Sequence, residues 1–93
     1  MSLLNDIRKE FKLSNIQIQS LILETGHYVS SFQLQDALEG SNLSPLPTIS
    51  KKVTLYLLNA IALRLNIPDI PLDSSEDKLR ELFNLILKTK QSD

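Results

Sequence analysis

TGHYVSSFQLQDALEG, residues 25–40, decides how this chain is read. A helix stops at Gly26, because a helix C-terminus often needs a residue at positive φ. A short turn carries Val29, and Ser30 with Gln33 has the S-x-x-Q spacing of a capping box that opens the next helix. That helix presents Leu34, Ala37 and Leu38 on one side and ends at Gly40. The outline is a helix-turn-helix hairpin. A bare pair of core helices has the same outline.

Outward from the hairpin the same periodicity continues. Ser14 and Gln17 repeat the capping-box spacing, and Ile18, Leu21 and Ile22 form the inward stripe of the hairpin's first helix. Leu3, Leu4, Ile7 and Phe11 fall at helical spacing before it, with Asp6, Arg8, Lys9, Glu10 and Lys12 on the other faces. SNLSPLPT (41–48) is a loop, since Pro45 and Pro47 forbid regular structure. A fourth helix, capped by Thr48 or Ser50, runs to about Asn66. It is apolar nearly all round, so neighbours must enclose it. IPDIPLDSS (67–75) is an extended linker. The last helix starts at Asp73 or Ser74 and carries Leu79, Leu82, Phe83, Ile86 and Leu87 inward. Its acids Glu76 and Asp77 and its bases Lys88 and Lys90 sit at the matching poles of its macrodipole. The expected fold class is all-α, a bundle of five short helices with a helix-turn-helix-like hairpin and a central fourth helix. Residues 1–66 are expected to form the four-helix core, with 67–93 adding linker and final helix to the same domain.

The bulk composition narrows the function. The chain has 93 residues, enough for one core, and 42% of them are hydrophobic against 23% charged, which is outside the disordered regime. There is no cysteine, which excludes a disulfide scaffold, a thiolate nucleophile and every cysteine-based metal site. Val53–Leu63, the longest uncharged apolar stretch, has eleven residues, whereas a membrane span needs roughly 20. No apolar leader follows the start, so a cytoplasmic setting is expected, with no membrane partner. The acids occupy polar faces and capping positions, and His27 is a lone turn histidine with no carboxylate at ligand spacing. No glycine-rich phosphate loop is present. Neither enzyme chemistry, a cofactor nor a small-molecule substrate is expected.

Two binding modes remain. As a nucleic-acid reader the hairpin would use Gln33 and Gln35 on base edges, with Arg8, Lys9, Lys12, Lys51 and Lys52 on phosphates. Against this, no Lys or Arg occurs between Leu13 and Ser50, while Glu24, Asp36 and Glu39 are acidic. Phosphate neutralisation supplies essentially all non-specific affinity. The second mode is protein contact. The fourth helix's second surface (Leu58, Ala62, Leu65) and the fifth's stripe (Leu82, Phe83, Ile86) are surplus apolar area that a second copy would cover, unless the fifth helix folds back over the fourth.

Residues 3–66 also resemble one repeat of the YehS-like family, a bacterial family whose activity is not established. The likeness rests on Asn5, Asp6 and Ile7 leading to Arg8, Phe11 and Leu13, then Ile18, Leu21, Ile22, Val29, Ser30, Leu34 and Leu38. It closes on YLLNAIALRL (56–65), similar to an FLNGL-type ending. In place of the family's charged segment after the third helix, this chain has Ala37-Leu38-Glu39-Gly40 and a proline loop. The resemblance implies an all-helical bacterial domain. Since the family usually carries two repeats, it also implies that a single-repeat chain restores the pair by forming a homodimer. The expected function is therefore a non-enzymatic domain acting through protein contacts as a homodimer, with a helix-turn-helix DNA or RNA binder as the alternative.

Overall fold

The described residues form five helices and no strand. A computed structural model describes residues 2–43, 45–68 and 75–91. The helices are α1 (Leu3–Phe11), α2 (Asn15–Glu24), α3 (Ser31–Gly40), α4 (Thr48–Arg64) and α5 (Glu76–Gln91). The all-α expectation holds.

Both capping boxes form. The Ser14 and Ser30 hydroxyls accept from the N–H groups of Gln17 and Gln33, whose side-chain oxygens accept in return from the serine N–H groups. Two otherwise orphaned donors are thereby satisfied at each helix start. Three helix ends share one closing geometry. Lys12, Gly26 and Asn66 are left-handed, with φ of 53°, 88° and 59°. The following N–H donates back five residues each time: Leu13 to the Arg8 carbonyl, His27 to Ile22 and Ile67 to Ala62. These are Schellman closures, and they turn the next side chain inward.

α4 is central and packs against each of the other four helices. Val53, Leu57, Leu58 and Ala62 on it are fully buried. Each large aliphatic side chain so withdrawn contributes roughly 1.5–3 kcal/mol. Leu4, Ile7, Ile18, Ile22, Leu34, Leu79 and Ile86 complete one continuous core around it. The Cα radius of gyration is 12.1 Å, close to the ~12 Å of a single folded core of this length.

Two local expectations are corrected. Pro47, not Thr48 or Ser50, precedes α4, with no side-chain cap. Ser50 is fully buried and donates instead to the Ala37 carbonyl of α3 at 2.8 Å. Ser75 accepts from the Lys78 N–H at the start of α5, so this helix begins later than expected. Residues 69–74 of the expected linker, with Asp73 and Ser74, lie outside the described residues. The Glu76 carboxylate accepts from the Leu46 N–H at 2.9 Å, which ties the 41–48 loop to the head of α5.

Candidate functional site

The residues expected to form a self-association surface are used internally. Leu58, Ala62, Leu82 and Ile86 are buried in this chain's own core, and Leu65 and Phe83 are half-buried against it. α5 folds back on α4, and the two apolar faces cover one another. The surface expected to await a second copy is thus covered within the chain.

The basic residues divide into two groups. Arg8, Lys9 and Lys12 line one surface hollow with Asn5 and Leu13. Phe11 and Leu13, beside them, share a groove with Ile61, Arg64 and Leu65 in the last turns of α4. Lys51 and Lys52 stand in its first turns, ten residues before Ile61 and about 15 Å away along the axis. They do not combine with the α1 bases into one basic face. Gln33 and Gln35 are also engaged: Gln33 completes the α3 capping box, and the Gln35 amide donates to Glu39 at 3.0 Å.

His27 is no free surface residue. The Schellman turn at Gly26 directs it inward, where its ring stacks on Tyr56 of α4, with centroids 4.1 Å apart and planes 9° from parallel. Among the described residues no group of three or more His, Cys, Asp or Glu side chains is placed to hold a metal ion.

The hairpin's outer face was missed by sequence periodicity. Ile16, Leu23, Tyr28 and Phe32 are 75%, 60%, 74% and 85% exposed. They are four of the seven large hydrophobic residues exposed among the described residues, and all lie within residues 16–32. Ile16 and Leu23, two turns apart, stand on one side of α2. With Tyr28 and Val29 they line a shallow groove of about 260 Å³ between α2 and the turn. Its wall is fixed by Gln19, whose amide donates to the Val29 carbonyl at 3.0 Å. The signal in the sequence was Ile16 and Leu23 standing outside the Ile18–Ile22 stripe.

A second groove, also about 260 Å³, has Phe11, Leu13, Leu21, Ile61 and Leu65 as its apolar floor. Arg64 and Lys90 stand at its rim. Both are matched within the chain, Arg64 by Glu24 at 2.7 Å and Lys90 by Glu10 at 3.6 Å. Lys90 also lies 4.8 Å from the Phe11 ring centroid.

Fold and surface together define a small helical domain with a capped two-helix hairpin and an apolar outer face. No family model matches the chain, and no curated protein or solved structure matches it either. Among the described residues no helix is long and apolar enough to cross a membrane.

Proposed function

We propose that this is a non-enzymatic bacterial domain of the cytoplasm that acts through protein contacts, made by the outer face of the α2–α3 hairpin. The observation that carries the reading is the groove that the exposed Ile16, Leu23 and Tyr28 line together, with Phe32, also exposed, at the start of α3. Exposed apolar residues scattered singly are ordinary, whereas a contiguous apolar face marks an interaction site. Tyrosine and phenylalanine, moreover, supply large contact area at little cost in side-chain entropy. The likeness of residues 3–66 to a YehS-like repeat, and with it the bacterial origin, belongs to the same proposal.

The test is photo-crosslinking in cells. A benzophenone amino acid at Tyr28 or Phe32 should give discrete protease-sensitive adducts. The same group at Glu81, exposed on α5, should give none above background. An adduct at twice the chain's own mass would make the partner a second copy, and a nuclease-sensitive adduct would overturn the reading in favour of nucleic acid.

A further inference from the structure

We infer that α1 carries a second contact surface, which takes an acidic peptide segment of another protein with one large apolar anchor. It is separate from the hairpin face and does not depend on it. The site is two hollows that meet at Leu13. Asn5, Arg8, Lys9 and Lys12 line one of them with Leu13, a hollow of about 420 Å³. Leu13 also belongs to the floor of the groove of about 260 Å³, with Phe11, Leu21, Ile61 and Leu65. Cationic and apolar ground are thus contiguous.

The cations are held together and uncompensated. Positions 5, 8, 9 and 12 fall at i, i+3, i+4 and i+7, on one side of α1 and its C-cap. Arg8 is fixed at the junction. Its Nε donates to the Leu13 carbonyl at 3.2 Å, and the Leu13 N–H donates to the Arg8 carbonyl at 3.0 Å. A guanidinium anchored by its Nε meets a carboxylate through its terminal nitrogens with little further loss of freedom. Among the described residues no carboxylate pairs with Arg8, Lys9 or Lys12. Glu10 and Glu24 add no net repulsion, since Lys90 and Arg64 at the groove's rim are paired with them. Even with Asp6 counted, one turn before Lys9, these four charges leave the face at +2.

Shape then selects the occupant. Phe11, Leu13, Leu21 and Leu65 are half-buried against the core and Ile61 is buried, so the groove floor is recessed. A bilayer takes up apolar side chains that project from a surface, and none of these projects. A phosphate chain would satisfy the cations and leave the adjoining apolar groove without a partner. The groove is smaller than the roughly 300–1,000 Å³ that bury a small molecule, and suits a single anchoring side chain. A peptide supplies both parts: the anchor for the groove, and carboxylates for the three bases spread over about one turn beside it.

Three synthetic peptides test this against the intact ¹⁵N-labelled chain. One sets glutamates around a phenylalanine, one sets lysines around it, and one keeps the glutamates with serine in place of phenylalanine. The first should shift the amides of Arg8, Lys9, Lys12, Leu13 and Leu21, and weaken with added salt. Each of the other two should bind at least about tenfold more weakly. Lys9→Glu with Lys12→Glu, both at exposed positions, should abolish the preference for glutamate and leave the amide spectrum of the core unchanged. No binding of the first peptide, equal binding of the first two, no loss with serine, or shifts confined to another face overturns the inference. Duplex DNA or phosphatidylglycerol vesicles that occupy the same amides more tightly than the first peptide overturn it too. A heavier species of the natural chain that this double variant disperses would make the occupant a second copy, and likewise overturn it. Crosslinking at Tyr28 is a separate measurement, so the hairpin reading stands or falls apart from this one.

Discussion

The fully buried Ser50 hydroxyl at the head of α4 donates to the Ala37 carbonyl in the last turn of α3 at 2.8 Å. The last four carbonyls of a helix have no partner within it, so Ser50 closes α3 from outside. Gly40 completes the seam, since a Cβ there would lie 2.8 Å from Ser50 Oγ and 3.0 Å from Pro47 Cγ. Ser50→Ala should destabilise by about 1–3 kcal/mol, the cost of leaving a buried carbonyl unpaired. Gly40→Ala should cost about 1–3 kcal/mol through overpacking. Denaturant unfolding of the double variant should show a cost well short of the sum, because each change acts on the same contact. Strict additivity would mean that the two residues do not share a contact.

The two glycines answer to different causes and separate experimentally. Gly26 has φ of +88° and open space where a Cβ would stand, so only backbone strain opposes a side chain. Gly26→Val should cost about 1–2 kcal/mol and Gly26→Asn much less, since Asn tolerates the left-handed region. At Gly40 Asn should be at least as harmful as Ala. Next to Gly26, His27→Ala should cost about 0.5–1.5 kcal/mol through the lost Tyr56 stacking. This replaces the expectation of a bystander turn residue. Tyr56→Ala should make the His27 substitution silent.

Much of the fold was legible because it rests on local chemistry. Ser14–Gln17, Ser30–Gln33 and Gly26 announce their helix ends in a few residues, and the helical stripes follow from spacing alone. Contacts between distant segments were not legible. Ser50 looks like a cap until α3 is known to lie across it, and Gly40 looks like a terminator until Pro47 and Ser50 are packed against it. Whether α5 covers α4 or leaves it open is likewise a tertiary matter. The hairpin's outer face escaped because Ile16, Leu23, Tyr28 and Phe32 follow no single period; two helices and a turn supply them.

Lys12 is a second consequence of the shared helix closure. It holds φ of 53° at the end of α1, where a residue with a Cβ is disfavoured, and Leu13 after it packs on the core. Lys12→Gly should therefore raise stability by up to about 1 kcal/mol despite the added freedom of the unfolded chain. Asn66, left-handed at the end of α4, should gain less from the same change, because Asn already tolerates that region. Thermal melts of the two variants side by side make the comparison.

Nucleic acid provides the next check. The α1 bases and the Lys51–Lys52 pair stand at opposite ends of α4, and α3, whose last turn lies against the head of α4, exposes Asp36 and Glu39. Duplex DNA at physiological salt should bind no tighter than about 10 μM, since non-specific affinity comes from phosphate neutralisation. A shift at sub-micromolar protein that fades steeply with salt would defeat this expectation. Its loss in Lys51→Glu, Lys52→Glu would then place the contact at the head of α4.

The closure of α5 over α4 decides the chain's own assembly. Leu79, Leu82 and Ile86 are buried against a central helix whose Leu57, Leu58 and Ala62 are fully enclosed. An aspartate at position 82 or 86 puts a carboxylate where no partner is available, and neutralising or exposing it disrupts the packing of α5. Small domains have total stabilities of only about 5–15 kcal/mol, so Leu82→Asp with Ile86→Asp should unfold the chain. A folded monomer from that variant would mean that the two residues form an interface and not a core. The milder Leu82→Ala should cost about 2–5 kcal/mol without changing assembly. On the natural chain, sedimentation equilibrium at about 100 μM should give a 10.5 kDa species. A species of twice that mass that survives Leu82→Ala but is lost in Tyr28→Asp would place self-association at the hairpin face.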